Sequence, residues 1–86
     1  GNVCLLKHAS NTLGCAVLID KIINDLSPVK NIFGNLIINS DRVGGVIKDN
    51  RIAAITLTGG EEAGMNIGAM AGNSLKKCVL ELGGNE

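Results

Sequence analysis

Aromatic side chains are almost missing from this sequence: Phe33 is the only one in 86 residues, with no Trp or Tyr. That removes the stacking platform on which single-stranded nucleic acids are held. An excess of either charge is missing too. Eight Lys and Arg balance eight Asp and Glu, for a formal net charge of +0. No basic footprint therefore points to nucleic acid or to an anionic membrane surface. Apolar runs are only a few residues long, too short to cross a bilayer. No charged-then-apolar leader opens the chain. Gly1 rather than Met stands first, which reads as an internal or processed boundary.

Metal ligands are equally scarce. There is one His, and the three cysteines, Cys4, Cys15 and Cys78, share no ligand spacing. No metal site is expected. Structural thiols buried in a cytoplasmic protein are the simpler reading of the cysteines. A reactive thiol is the sharper one, but Cys4 and Cys78 fall in apolar runs with no base close in sequence.

What the chain does have is apolar residues, at 45%, enough for one domain with a modest core. Val3 to Leu6 is a continuous apolar run of the kind that forms a strand buried on both faces. Ser10, Asn11 and Thr12 are helix-capping residue types. From Leu13 to Leu26, Cys15, Leu18, Ile19, Ile22, Ile23 and Leu26 recur at helical spacing, with Asp20, Lys21, Asn24 and Asp25 on the other side. Pro28 ends that helix, because the residue before a proline avoids the helical region. A second strand is expected within Asn31 to Asn39, centred on Leu36, Ile37 and Ile38. Ser40 or Asp41 then caps a short helix with Val43, Val46 and Ile47 facing inward. Ile52 to Leu57 reads as the third strand. The Thr58-Gly59-Gly60 turn opens a helix running to about Ser74, and Cys78 to Leu82 is the fourth strand. The order β-α-β-α-β-α-β predicts an α/β fold with a Rossmann-like parallel sheet. No domain boundary or repeat interrupts it.

Gly60, Gly64, Gly68 and Gly72 recur every four residues along the third helix. The three interior glycines weaken the isolated helix by roughly 3 kcal/mol, so it depends on tertiary contacts. Tight packing on the sheet explains the stripe most simply, and a groove for a partner element is the alternative.

Ligands in parallel α/β folds sit at the carboxyl ends of the strands, and three groups fall there. Glu81 ends the fourth strand, followed by Gly83 and Gly84. Burial between Leu80 and Leu82 would suit a carboxylate to general acid-base work. Gly59 and Gly60 bring a strand into a helix start, where free N–H groups and the helix dipole favour a phosphate. A glycine turn is more often only a turn, the G-x-G-x-x-G pattern is lacking, and Glu61 and Glu62 repel an anion. At about 8 Å each charge pair costs roughly 0.5 kcal/mol in water and about 2 at an effective dielectric of 20. Lys7 follows the first strand and reads either as a solvated lysine or as a ribose or phosphate contact. His8 reads as a loop residue rather than a catalyst.

Three segments together carry a family resemblance. Gly1-Asn2-Val3-Cys4-Leu5-Leu6-Lys7 resembles the first strand and ribose-contacting lysine of aldehyde dehydrogenases. Leu57-Thr58-Gly59-Gly60 resembles that family's Phe-Thr-Gly-Ser turn beside the cofactor pyrophosphate. Leu80-Glu81-Leu82-Gly83-Gly84 resembles its Leu-Glu-Leu-Gly-Gly general-base motif. Within the family, Lys7-His8-Ala9-Ser10-Asn11, Gly14-Cys15-Ala16 and Lys76-Lys77-Cys78-Val79 are most similar to succinate-semialdehyde dehydrogenases.

The resemblance implies a partial NAD(P)-binding domain over residues 1–86, from an enzyme that oxidises succinate semialdehyde to succinate as a homo-oligomer. It implies Glu81 as the base that activates water, with Lys7, Ser10, Gly59, Gly60 and Leu82 at an NAD or NADP cofactor. Ser10 stands where NAD-preferring members often carry a glutamate, which leaves NADP open. Gly60 replaces the usual serine and Glu61 a neutral residue. None of the three cysteines corresponds to the family's nucleophile, so these 86 residues alone are expected to be inactive. The alternative is a free-standing, non-catalytic remnant that binds nucleotide weakly or serves as an interaction module.

Overall fold

The computed structural model describes residues 1–83. Residues gather into two compact units, Gly1–Asn39 and Ser40 onward.

In the first unit, strand β1 (Cys4–Leu6) pairs in parallel with β2 (Phe33–Asn35), and helix α1 (Leu13–Leu26) connects them after a 3-10 turn at Ser10–Thr12. Cys4 lies opposite Phe33, Leu5 opposite Gly34 and Leu6 opposite Asn35. The second strand therefore starts earlier than the Leu36–Ile38 apolar run suggests. Asn31, at φ 62°, turns the chain so that the Ile32 carbonyl accepts from the Cys4 N–H at 2.9 Å. The ladder then ends with β1, at the bond from the Leu36 N–H to the Leu6 carbonyl. Ile37 lies past the last partner and is exposed.

Helix α1 has the expected bounds, and Ser27 before Pro28 is extended at ψ 131°. Its packed side is rotated from the expected apolar stripe. Ala16 is buried at 1% exposure, and Ile19 and Ile23 are half-buried. Cys15, Leu18, Ile22 and Leu26 are exposed. The small Ala16 allows the helix to approach β2, where Asn35 Nδ2 donates to the Ala16 carbonyl at 2.8 Å. Ser10, Asn11 and Thr12 do not cap by side chain; Thr12 holds the N-cap position but donates its hydroxyl to the Ala9 carbonyl instead.

The second unit contains a 3-10 turn at Ser40–Arg42, α2 (Val43–Lys48), β3 (Ala54–Gly59), α3 (Glu61–Asn73) and β4 (Lys77–Leu82). Ser40 and Asp41 sit inside the 3-10 turn, so neither caps α2, whose N-cap position falls to Arg42. Strands β3 and β4 are parallel, paired from Ala54↔Lys77 to Gly59↔Leu82. Each unit thus carries its own parallel pair of strands.

Alternation along a strand sends successive side chains to opposite faces. Ile55, Leu57, Cys78 and Leu82 are half-buried on the α3 side. Ala54, Thr56, Thr58, Lys77, Val79 and Glu81 occupy the other face and are exposed. In the first unit the burial on both faces expected of the Val3–Leu6 run is not met either, since Cys4 and Leu5 are exposed. Ile47 on α2 and Ala71 on α3, at 3% and 0% exposure, form the centre of the second unit.

The glycine stripe resolves into two roles. A Cβ on Gly64 would fall within 3.0 Å of Leu82 Cγ, and one on Gly68 at 3.4 Å from Leu80 Cδ1. These two glycines let α3 settle onto β4. Gly60 and Gly72 meet nothing within 4 Å. Helix α3 closes with Leu75 at φ 56°, the left-handed position that glycine usually takes. The Lys76 and Leu75 N–H groups bond back to the Ala71 and Gly72 carbonyls at 2.9 and 3.1 Å. Lys76 Nζ then reaches the end of α2, donating to the Ile47 carbonyl and, at 2.5 Å, to the Asp49 carbonyl.

Candidate functional site

The carboxyl ends of β3 and β4 bring four of the six proposed site residues together. Thr58 is in register with Glu81, and Gly59 with Leu82. Beyond the last pair, the Gly83 N–H donates to the Gly59 carbonyl at 3.3 Å. Gly83 is at φ 58°, a conformation that L side chains rarely adopt. The backbone can therefore turn off β4 directly after Leu82. Gly84 lies outside the described residues.

Glu81 and Leu82 are neighbours in sequence but leave the strand on opposite faces. Leu82 packs over Gly64, while Glu81 shares the open face with Thr58 and Val79. Glu81 is exposed, so the burial expected from Leu80 and Leu82 is absent. The physical reason is the two-residue period of the strand, which turns both leucines to the face that Glu81 does not share. Among the described residues the Glu81 carboxylate has no hydrogen bond or ion pair.

Gly59 ends β3 and Gly60 is the N-cap of α3, with φ −78° and ψ 165° and no side-chain cap. That extended conformation is open to any residue. A Cβ on Gly60 would meet nothing within 4 Å, and one on Gly59 only ordinary contacts at 3.8 and 3.9 Å. Neither glycine is required by crowding within the chain. What they leave is a turn whose backbone stands clear, at a helix start where the first N–H groups lack helical partners. Glu61 and Glu62 occupy that first turn. A Cβ on Gly83 would lie 4.0 Å from Glu61 Oε1, so Glu61 reaches toward the end of β4.

Lys7 and Ser10 belong to the first unit, just beyond the carboxyl end of β1. Lys7 is half-buried and its Nζ donates to the His8 carbonyl at 3.2 Å. Ser10 opens the 3-10 turn and is exposed. His8 Nδ1 and Thr12 Oγ1 are hydrogen-bonded at 2.5 Å. The composition gave no sign of that bond, although the i, i+4 spacing of His8 and Thr12 could have suggested it. Among the described residues, no group of three or more His, Cys, Asp or Glu could hold a metal ion. No described helix is long and apolar enough to cross a membrane.

The parallel β-α-β units define an α/β protein, and the β3–α3–β4 unit carries its glycine turn and carboxylate at the carboxyl edge, where proteins of that class hold ligands. The match to known proteins is more specific. The aldehyde dehydrogenase family model matches residues 1–86, and the chain belongs to that family. It is 52% identical over all 86 residues to the succinate semialdehyde dehydrogenase [NAD(P)+] Sad of Escherichia coli K12. It is 46% identical over the same length to succinate-semialdehyde dehydrogenase [NADP(+)] 1 of Mycobacterium tuberculosis H37Rv. Among solved structures, it matches the succinic semialdehyde dehydrogenase of Streptococcus pyogenes in complex with NADP+, with a TM-score of 0.94 and 38% identity over the whole chain. In each case the chain spans 19% of the relative's length.

Proposed function

We propose that residues 1–86 form part of the NAD(P)-binding domain of an aldehyde dehydrogenase that oxidises succinate semialdehyde to succinate. The observation that carries this reading is the register at the end of the β3–β4 pair. It sets Glu81 beside the Gly59–Gly60 turn, with an open backbone approach at the turn and an open strand face at the carboxylate. What supports a cofactor there is the clear backbone at Gly59 and Gly60, where an added Cβ would meet only ordinary contacts or none.

The bound nicotinamide supplies the hydride acceptor. The rest falls to the chain's own residues. The amides at the start of α3 receive phosphate oxygens, against the repulsion of Glu61 and Glu62. Lys7 and Ser10 contact the ribose, and Leu82, its side chain seated against Gly64, offers the cofactor its backbone at the end of β4. Glu81 takes a proton from water at its carboxylate oxygen, so that the water can hydrolyse the thioester (the acyl intermediate) that the family's cysteine nucleophile, supplied by none of residues 1–86, would form with the aldehyde. Cys4, Cys15 and Cys78 are given no covalent role. A cytoplasmic homo-oligomer is part of the same proposal and rests on the family resemblance.

The test is Glu81→Gln in the full-length enzyme that contains this segment. The amide keeps the volume and loses the basicity. Cofactor affinity should stay nearly unchanged while steady-state turnover falls by roughly 100-fold or more. The first turnover should survive better, giving a burst of NAD(P)H. Weakened cofactor binding without a burst would make Glu81 a brace for the loop, and an unchanged steady-state rate would remove it from the site.

A further inference from the structure

The segment between β1 and α1 is tied together by side chains in a way that the cofactor reading does not use. Thr12 occupies the N-cap position of α1, yet its hydroxyl does not cap the helix. Its Oγ1 donates to the Ala9 carbonyl at 3.2 Å, and the Thr12 N–H donates to the same carbonyl at 3.0 Å. Thr12 Oγ1 also shares a 2.5 Å hydrogen bond with His8 Nδ1, whose direction follows the ring's tautomer. The hydroxyl thus links the His8 ring to the Ala9 main chain. His8 also offers its backbone carbonyl to Lys7 Nζ. One residue thus closes the turn through its ring and seats the lysine through its main chain. His8, Thr12 and Lys7 are all half-buried.

We propose that His8 is a positioning residue for cofactor recognition, acting through Thr12 to hold the 7–12 turn in the shape that presents Lys7 and Ser10. This rests on the reading that those two residues contact the cofactor ribose. His8 takes no proton in the reaction and touches no reacting atom. Its effect is preorganisation: with the turn already closed, binding does not have to order it. Loss of the clasp should therefore weaken cofactor binding and leave the chemical steps alone.

The experiment uses the full-length enzyme with His8→Ala, Thr12→Val, the double variant, Thr12→Ser and Lys7→Met. NADP and NAD affinities are read by fluorescence titration beside steady-state kinetics. His8→Ala and Thr12→Val should each raise the cofactor KM and Kd by about 5- to 20-fold, with kcat within about twofold of the parent. The double variant should be no worse than either single one, because both break the same bond. Thr12→Ser keeps the hydroxyl and should restore affinity. Unchanged cofactor affinity in His8→Ala, additive losses in the double variant, or a fall in kcat at constant KM would each overturn the clasp. Lys7→Met separates the two readings. If it weakens the cofactor while His8→Ala does not, the clasp fails and the cofactor site stands. If Lys7→Met has no effect, the cofactor reading of this turn fails.

Discussion

The Gly83 N–H donates to the Gly59 carbonyl at 3.3 Å, tying the turn that ends β4 to the turn that begins α3. Two glycine segments 24 positions apart in sequence thereby become one edge. The carboxylate and the open helix start flank that edge. Whatever shifts β4 must move both.

Gly64 is the most sensitive point for such a shift. Gly64→Ala should push Leu82 off α3, because the added Cβ would fall inside the contact distance of the leucine side chain. The expected destabilisation is about 1–3 kcal/mol, checked by chemical denaturation of the full-length protein. Gly72→Ala is the control. It meets nothing within 4 Å and should stabilise the helix by up to about 1 kcal/mol.

Lys76 closes the end of α2 by donating to the carbonyls of Ile47 and Asp49. Lys76→Met keeps much of the length and removes the donors. It should cost about 1–2 kcal/mol, seen as roughly tenfold faster amide exchange across Val43–Lys48. Unchanged protection there would mean that solvent replaces the lysine without penalty.

Asp49 is held well below the usual carboxylate range, first by the side-chain hydrogen bond from Arg51 and then by the Arg51 backbone N–H. A carboxyl depressed on folding adds stability that is present above its unfolded value and lost as pH falls through its folded value. Neutral solution therefore keeps the full contribution, and acid removes it. Arg51 is 88% exposed, so salt should screen the pair. The carboxyl-carbon titration of Asp49 should move up toward the ordinary range in Arg51→Gln and in high salt.

The purified 86-residue chain should associate, bind an apolar dye and form no NAD(P)H from succinate semialdehyde. Val3, Leu26 and Met65 are 68%, 78% and 68% exposed, and both strand pairs leave a face uncovered. Exposed apolar surface on each unit drives association. Light scattering across concentrations checks the first expectation and absorbance at the nicotinamide band the last. A dye-negative monomer, or turnover above the buffer rate, would contradict them.

Local pattern predicted local structure well and lateral arrangement poorly. Helix α1 was readable to the residue because its 3.6-residue period and Pro28 both act within the segment. Strand β2 was displaced because its ends are set by a partner: β1 is three residues long, and Asn31 aims the ladder at Phe33 rather than at Leu36. The packed face of α1 departs from its apolar stripe for a similar reason, since Ala16 rather than the larger Leu18 or Ile22 allows close approach to β2. Glu81, Gly59 and Gly60 could be located because a strand end followed by glycine is a one-dimensional signal. The exposure of Glu81 could not, because it depends on what covers the other side of a sheet. His8–Thr12 and Lys76–Ile47 were invisible to periodicity, which carries no information on where a polar side chain bonds.

Glu81 and Leu82 leave β4 on opposite faces, and only one of those faces holds a seat. The notch at Gly64 accepts a leucine at one position along the strand. A slip of one residue would drive the carboxylate against the helix and turn the leucine outward. Gly64 therefore works as an index mark: with a leucine in its notch, the residue before it, the glutamate, is turned to the opposite face.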